Sequence, residues 1–401
     1  MRSSRLILLK VSSDIAGKLA ILGVLALAAR AITTEAFAWL ALASTLGWML
    51  SVATDFGLQL HLAREVARAP EHAGQALWPL LLRRTQLLGA GLVVAVAVSF
   101  AWLRPHDAAP FACVAISYLL SSLVEFLNYA YRGLNRTDLE SILNLGQRIA
   151  TLMLAWLLLR AWPSFPSVAI AMVLPPLVVG MISLAMLADM APFGENVPET
   201  GGGDLFRRVA PIGAGILFSA LYFRIDVFLL QHWLGPEAVA HYGAVFRLVD
   251  AMRLFPAAML AVVLPVMFRG RNTAFLWKLS AGLVTFGLAT SLVMYAAAPI
   301  AVPLAFGRAY APATPLFRIL LVAFPLFALN YGLTTQLIGW NRQREFALIN
   351  AVAFVANVAM NMYLIPRMAA AGAAWATVAT EGLLTLACVF VLSRATNRAT
   401  P

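Results

Sequence analysis

Long apolar runs, separated by short polar turns, occupy almost the whole chain. A helix needs about 20 apolar residues to cross the hydrocarbon core of a membrane. In lipid each backbone amide must also be bonded within the protein, which a helix achieves by itself. The runs therefore predict about twelve transmembrane helices, at 12–31, 37–60, 80–103, 110–131, 141–160, 165–188, 207–231, 237–266, 275–298, 315–338, 344–364 and 370–393.

One polar segment near the middle of the chain has the composition of a linker. Residues 191–206 are rich in glycine, proline and acidic side chains, whereas the other connections are short loops. This segment separates six predicted helices from six. We therefore predict an all-α polytopic membrane protein with an N-terminal six-helix lobe (1–190), a cytoplasmic linker (191–206) and a C-terminal six-helix lobe (207–401).

A short motif recurs in the two halves. Gly133-Leu134-Asn135-Arg136 returns 206 residues later as Gly339-Trp340-Asn341-Arg342, in the turn between the fourth and fifth helices of each half. Glu35-Ala36 similarly matches Glu237-Ala238 in the first external turn. Equivalent placement predicts an internal duplication. Because each half has six helices, both copies enter the membrane from the same side and the repeat is parallel.

The composition agrees with a membrane protein and gives its orientation. The chain is 62% hydrophobic and 12% charged, whereas soluble domains carry about a quarter charged residues. Of 29 basic residues, 18 fall on one side of the predicted membrane and 5 on the other, which places both termini in the cytoplasm. The richer side holds Arg2, Arg5, Lys10, Arg64, Arg68, Arg83, Arg84, Arg132, Arg136, Arg207, Arg208, Arg269, Arg271, Lys278, Arg342, Arg344, Arg394 and Arg398.

The net charge of +11 does not indicate nucleic-acid binding, because the basic residues punctuate the apolar runs instead of forming a patch. The two cysteines, Cys113 and Cys388, lie in apolar runs and provide neither a disulfide framework nor metal-ligand spacing.

Several ionisable residues fall inside the predicted spans. Such residues are costly in lipid, so each is expected to face a cavity or a partner. The basic candidates are Lys18, Arg148, Arg224, Arg247 and Arg253, whereas Arg318 lies near the outer end of its span and is expected to reach the interface. The acidic candidates are Asp14, Asp55, Glu125, Asp226, Asp250 and Glu381. One interpretation is mutual neutralisation, with Lys18 bonded to Asp14 or Asp55 and Asp226 bonded to Arg247.

A second interpretation concerns the whole set of charges. The first, second, seventh and eighth helices hold equivalent places in the two halves and all carry charge, which predicts one central polar cavity. On the eighth helix, Asp250 alone cannot neutralise both Arg247 and Arg253. We therefore predict that the five basic residues bind an anionic cargo, phosphate above all, because a guanidinium offers paired donors. The six acids are predicted to be charge partners or ion-coupling groups.

The segment Tyr222-Phe223-Arg224-Ile225-Asp226 through Leu234-Gly235-Pro236-Glu237, followed by His241-Tyr242-Gly243-Ala244 and Arg247, carries a family resemblance. It is similar to the seventh and eighth helices of the polysaccharide-exporter branch of the multidrug/oligosaccharidyl-lipid/polysaccharide exporter superfamily, and Asn135-Arg136 and Asn341-Arg342 fit the cytoplasmic turns of that branch.

The resemblance implies a V-shaped, alternating-access bundle in the bacterial inner membrane. Its cargo would be an undecaprenyl-diphosphate-linked oligosaccharide, such as an O-antigen or exopolysaccharide repeat unit, flipped to the periplasmic leaflet. Membrane lipids are expected partners, polysaccharide polymerase and chain-length machinery are candidate partners, and the chain is expected to be a monomer. No cofactor is expected, and H⁺ and Na⁺ are the candidate coupling ions.

Three alternatives remain open. A multidrug exporter of the same superfamily would show an acid-dominated cavity, and a peptidoglycan-precursor (lipid II) flippase resembles a longer protein with two additional helices. A membrane glycosyltransferase or polymerase would carry a sizeable external loop. The external loops predicted here are short and hold as acids only Glu35, Asp107 and Glu237. The sequence therefore favours transport over catalysis.

Overall fold

A computed structural model of the protein describes residues 2–192, 202–257, 259–260, 263 and 273–397. In this part of the chain every regular element is a helix. Eleven helices there are long and apolar enough to span a membrane, which confirms the all-α polytopic class. The thirteen longer helices are α1 Arg2–Ala31, α2 Thr34–Asp55, α3 Leu58–Arg68, α4 Ala73–Trp102, α5 Pro105–Gly133, α6 Thr137–Ala161, α7 Phe165–Met190, α8 Gly202–Leu234, α9 Pro236–Met252, α10 Thr273–Phe306, α11 Thr314–Gly339, α12 Gln343–Met368 and α13 Ala370–Asn397.

Two boundaries in the first half differ from the sequence prediction. The span predicted at 37–60 ends at Asp55, because Phe56 and Gly57 adopt positive φ angles of 43° and 86°. The Asp55 carboxylate then accepts hydrogen bonds from the backbone N–H groups of Gly57 and Gln59, which starts the separate amphipathic helix α3. The span predicted at 80–103 begins earlier, since α4 starts at Ala73.

Two other predictions fall partly outside the described residues. Of the predicted linker, residues 193–201 are outside, and Gly202 already belongs to α8. Of the eighth predicted span, α9 covers the part up to Met252, and 258, 261–262 and 264–266 are outside. Arg269, Arg271 and Arg398 from the orientation count are outside as well.

The chain divides into two compact units, Met1–Gly213 and Ala214–Pro401. The first turns of α8 therefore belong to unit 1, where Val209 joins a buried cluster with Leu62, Leu77 and Tyr131. In unit 1, α5 is the central helix and packs against α2, α3, α4 and α7, while α1 packs along α6. In unit 2, α11 holds the corresponding place and packs against α9, α10 and α13.

The recurring motif forms the same turn in both units. Asn135 has φ 58° and Asn341 has φ 59°, the left-handed conformation in which a helix commonly terminates. The N–H of Arg136 donates to the carbonyl of Tyr131 at 2.8 Å, and the N–H of Arg342 donates to that of Leu337 at 2.9 Å. This bond closes a Schellman-type helix end in each copy. The sequence recurrence is thus matched by structure.

Candidate functional site

Three arginine side chains of unit 2 gather around one carboxylate. Arg224 on α8 donates a hydrogen bond to Oδ2 of Asp250 on α9. Nη1 of Arg247 lies 3.9 Å from the same oxygen, and Nη1 of Arg253 lies 3.7 Å from Oδ1. Both of these distances exceed hydrogen-bond length. Only one of the three guanidinium groups therefore bonds directly to Asp250. We call these three residues the arginine cluster.

Local sequence explains why these side chains meet. Gly235 takes φ 79° and Pro236 occupies the first helical position, so the chain reverses sharply between α8 and α9. Arg247 on α9 and Arg253, the C-cap residue that follows this helix, each lie three residues from Asp250, which brings the three side chains to neighbouring positions. Burial differs within the cluster: Arg224 is buried, whereas Arg247 and Arg253 are half-buried.

The hydrogen-bond donors of the cluster are largely unused within the described residues. Neither Arg247 nor Arg253 donates a hydrogen bond there, and the Nε of Arg253 is a buried nitrogen atom without an acceptor. A guanidinium carries five N–H donors, so the cluster has considerable spare capacity for an acceptor-rich ligand. Phosphate groups are ligands of this kind.

Two acids of unit 2 are held by neutral donors. Asp226 accepts hydrogen bonds from the hydroxyl of Tyr242 and from its neighbour's N–H, that of Val227. Glu381 accepts from the hydroxyl of Tyr222 at 3.1 Å and from Nδ2 of Asn330 at 2.7 Å. Among the described residues, no Lys or Arg nitrogen lies within 4.0 Å of either carboxylate.

The predicted pairing of Asp226 with Arg247 is therefore wrong. Arg247 points to Asp250 at 3.9 Å, and Tyr242, sixteen residues from Asp226 along the chain, fills the place expected for the arginine. The reason is geometric: the reversal at Gly235 sets Tyr242 of α9 opposite Asp226 of α8, and Arg247 lies further along α9.

The predicted partners of Lys18 in unit 1 are also wrong. Asp14 instead bonds to Lys10, with 2.6 Å between Nζ and Oδ1. Asp55 instead lies beside Arg84 of α4, with 4.0 Å between Oδ1 and Nε. Lys18 itself is exposed and makes no ion pair among the described residues, and another cation lies closer to each of the two acids.

The remaining predicted residues of unit 1 are separated from these pairs. Arg148 on α6 is half-buried and packs over Gly17 on α1, where an added Cβ would lie 3.2 Å from the Cγ of Arg148. Glu125 on α5 is exposed, within electrostatic range of Asp55 and Arg84. Neither Arg148 nor Glu125 forms an ion pair in the described chain. That these residues share one central cavity with the arginine cluster stays a prediction.

Two ionic groups of unit 1 were missed at the sequence level. The side chain of Arg84 is fully buried and donates to Ser122 at 2.6 Å, and its Nε and Nη1 have no hydrogen-bond acceptor within the described residues. Glu140, 1% exposed, accepts from Lys10 at 2.8 Å and from Nε of Arg132 at 3.1 Å. The sequence did contain evidence that Arg84 lies within the membrane, because this residue falls inside an apolar run that begins before residue 80.

No metal site is formed by the residues described, because they contain no group of three or more His, Cys, Asp or Glu side chains able to hold an ion. Each unit offers ionic and hydrogen-bonding groups. Unit 2 has guanidinium donors with spare capacity, and unit 1 has Lys18 on α1 and Arg148 on α6, which form no ion pair among the described residues.

Comparison with known proteins gives a family and a fold. A family model described as "Polysaccharide biosynthesis protein" matches residues 5–271. A multidrug resistance MATE family transporter of the MOP superfamily, in an inward-facing conformation, is similar in structure with a TM-score of 0.77 and 13% identity, over 98% of this chain and 100% of that one. A MATE transporter from Vibrio cholerae gives a TM-score of 0.70 and 12% identity, over 99% and 97% of the two chains.

The lipid II flippase MurJ, in an inward closed conformation, is a further structural relative. Its TM-score is 0.62 at 11% identity, and the match covers 96% of this chain and 87% of that one. At such low identities these likenesses establish the fold alone. A comparison with curated proteins finds no match.

Proposed function

This chain belongs to the polysaccharide biosynthesis protein family, and from that premise we propose that it is a flippase for a lipid-linked oligosaccharide. The cargo is an undecaprenyl-diphosphate-linked repeat unit of an O-antigen or exopolysaccharide. The protein carries it by alternating access from the cytoplasmic to the periplasmic leaflet of the bacterial inner membrane, with both of its own termini in the cytoplasm. The family match and the likeness in fold to transporters support transport in preference to catalysis.

The observation that carries the proposal is the spare donor capacity of the arginine cluster. Three guanidinium groups surround Asp250, and two of them make no hydrogen bond within the described residues. Leaving guanidinium donors unfilled inside a membrane is costly. A diphosphate supplies many acceptor oxygens in the paired geometry that arginine prefers. In this proposal Arg247 and Arg253 bind the diphosphate while Arg224 stays bonded to Asp250.

Lys18 and Arg148 give the N-terminal unit a second, weaker cationic element. Lys18 lies in α1 and Arg148 lies in α6, and neither forms an ion pair among the residues described. In the proposed cycle they attract the anionic headgroup, and the polyprenyl chain remains in the lipid. A sugar chain needs a hydrated path across the membrane. Exposed and half-buried charged side chains keep such a path hydrated better than an apolar surface does.

We propose that the buried acids of unit 2 bind the coupling ion. Asp226 and Glu381 are held by Tyr242, Tyr222 and Asn330, which are neutral donors. A carboxylate without an arginine or lysine partner can accept H⁺ or coordinate Na⁺ without breaking a salt bridge. We assign ion coupling to these two residues, with H⁺ and Na⁺ as the candidates.

Two related functions compete with this proposal, each favoured by a structural relative. One relative is a multidrug transporter and another is a lipid II flippase. Organic cations favour acidic sites, whereas Arg247 and Arg253 here offer unused cationic donors, which disfavours drug export. A lipid II flippase would bind the same diphosphate, so the two flippase functions differ in the sugar and not in the arginine cluster.

The test is export of a surface glycan in a strain whose own flippase gene for that glycan is deleted and replaced by this protein. Arg253→Ala combined with Arg247→Ala should abolish surface glycan and cause lipid-linked glycan to accumulate inside. Arg253→Lys should restore export only in part, because an ammonium keeps the charge but loses the paired donors. Surface glycan is measured by immunoblot, with membrane levels of the protein measured in parallel.

Arg367→Ala is the matched control. Arg367 is an exposed arginine of the same unit that lies over Tyr363 and donates to the carbonyl of that residue at 2.7 Å. Its replacement removes one arginine charge, as each of the two substitutions in the cluster does, and should leave export at the wild-type level. Wild-type surface glycan in the double alanine variant, at normal membrane levels, would refute the role of Arg247 and Arg253. If this protein instead keeps alive a strain depleted of its own lipid II flippase, lipid II is identified as the cargo.

A further inference from the structure

Phe223 lies between two members of the arginine cluster. Its ring centroid is 4.2 Å from the Cζ of Arg253 and 5.2 Å from the Cζ of Arg224. Both distances are within the range of a cation–π interaction, which attracts a guanidinium to the face of a ring. Phe223 therefore contacts one arginine bonded to Asp250 and one that is not.

Two rings of α11 complete the surroundings of Arg253. Its Cζ lies 5.1 Å from the centroid of Phe327 and 5.9 Å from that of Tyr331. These residues are four positions apart and therefore share one helix face. Phe327 also meets Phe223 edge to face, with 5.9 Å between the ring centroids and an interplanar angle of 77°. We call Phe223, Phe327 and Tyr331 the aromatic cage.

The three rings of the cage surround the Cζ of Arg253, and its N–H donors find no hydrogen-bond acceptor among the described residues. The nearest carboxylate oxygen, Oδ1 of Asp250, is 3.7 Å from Nη1 of Arg253, too far for a hydrogen bond. Asp250 is bonded to Arg224 instead. The Nε of Arg253 is buried without an acceptor among the described residues. Ring faces accept no strong N–H bond, so the cage fixes Arg253 without using its donors.

We propose that the aromatic cage positions Arg253 for the diphosphate of the lipid-linked substrate, so that Phe223, Phe327 and Tyr331 determine affinity without touching the phosphate. This inference rests on the proposed function, which it deepens. A free arginine side chain loses considerable rotamer freedom when it binds an anion. The cage restricts that freedom beforehand and keeps the guanidinium from forming a closed pair with Asp250.

The test is binding of undecaprenyl diphosphate to the purified full-length protein in detergent, measured by native mass spectrometry. Phe223→Leu keeps an apolar side chain but removes the ring face, and should weaken binding about three- to tenfold, the size of one partly desolvated cation–π contact. Tyr331→Leu should weaken binding less, because Tyr331 is the most distant ring, and Tyr331→Phe should match wild type. Tyr331 is 38% exposed, so Tyr331→Leu and Tyr331→Phe should preserve the fold.

A double variant separates positioning from general packing. If the cage acts through Arg253, then adding Phe223→Leu to Arg253→Ala should change affinity by less than about twofold beyond Arg253→Ala alone. Phe354→Leu is the packing control, because Phe354 pairs with Phe218 of the same unit at 6.1 Å between centroids. It should bind the lipid like wild type.

The outcomes are distinguishable. If Arg253→Ala weakens binding but Phe223→Leu does not, the cage is refuted and the proposed function stands. Equal losses in Phe223→Leu and Phe354→Leu, or an undiminished effect of Phe223→Leu in the Arg253→Ala background, would make Phe223 a packing residue and overturn the inference. If Arg253→Ala itself binds like wild type, the arginine role in the proposed function fails first.

Discussion

At the scale of single residues, ionic side chains in this protein fall into two groups. In the first group, which we call closed, the carboxylate oxygens accept hydrogen bonds from neighbouring cations, as in Glu140. In the second group, which we call open, N–H donors have no hydrogen-bond acceptor among the described residues, as in Arg253. Removing one member of a closed group destabilises the fold, because it leaves an uncompensated buried charge. An open group costs stability, and such costs are tolerated where a ligand is bound.

Glu140→Gln should destabilise unit 1. The carboxylate is 1% exposed and joins Lys10 of α1 to Arg132 of α5, so the substitution leaves two cations without their shared acid. Removing one partner of a buried ion pair costs about 3–5 kcal/mol, and the 38% exposure of the Arg132 side chain favours the lower value. The thermal unfolding midpoint of the purified protein should fall by several degrees.

Asp138→Asn is the matched control for that measurement. Asp138 lies on the same helix and pairs with Arg136 at 3.2 Å, but both side chains are well exposed, at 39% and 45%. Exposed pairs contribute about 0–1 kcal/mol, so the midpoint should change little. An equal shift in the two variants would contradict the distinction between closed buried pairs and surface pairs.

The sequence predicted which helices carry charge but not which charges meet. Arg84, Lys10 and Arg132 were interpreted as orientation signals, because each lies near the cytoplasmic end of an apolar run. In the fold Lys10 and Arg132 both bond to the buried Glu140, and Arg84, itself buried, bonds to Ser122. Pairing across helices depends on their rotation and packing, which hydropathy does not contain. Asp250 was only a partial exception: its spacing from Arg247 and Arg253 was visible in the sequence, but its hydrogen-bonded partner, Arg224, comes from α8.

At the scale of elements, the clearest agreement concerns the duplicated turn. Asn135 and Asn341 end α5 and α11 in the left-handed conformation. Asparagine and glycine adopt it most readily, so Asn was a usable sequence signal. The break between α2 and α3 was less visible, because it depends on Phe56 at φ 43°, a conformation that a bulky residue rarely adopts.

Valine at either asparagine should destabilise the protein, and glycine should not. A β-branched residue in the left-handed region costs about 1–2 kcal/mol, whereas glycine carries no such cost there. Because the two turns share φ angles of 58° and 59°, Asn135→Val and Asn341→Val should lower the unfolding midpoint by similar amounts. A loss at one turn only would contradict their structural equivalence.

At the scale of the whole molecule, two units with the same packing scheme follow one another along the chain. In unit 1 the central α5 packs against α2, α4 and α7, and in unit 2 the central α11 packs against α9, α10 and α13. From hydropathy and two recurring motifs the sequence predicted two six-helix lobes, 1–190 and 207–401. It did not predict that the first turns of α8 belong to unit 1, because a helix that continues through a unit boundary leaves no break in hydropathy.

The central claim is that the protein moves a diphosphate-linked glycolipid across a membrane. The most direct measurement uses vesicles reconstituted with the purified protein and undecaprenyl-diphosphate oligosaccharide that carries a fluorophore on its sugar. An impermeant reductant added outside bleaches only the outer leaflet. Vesicles with the wild-type protein should bleach beyond that leaflet, and vesicles with the Arg247→Ala/Arg253→Ala variant should not. Identical bleaching of wild-type and protein-free vesicles, under both a proton and a sodium gradient, would contradict the claim.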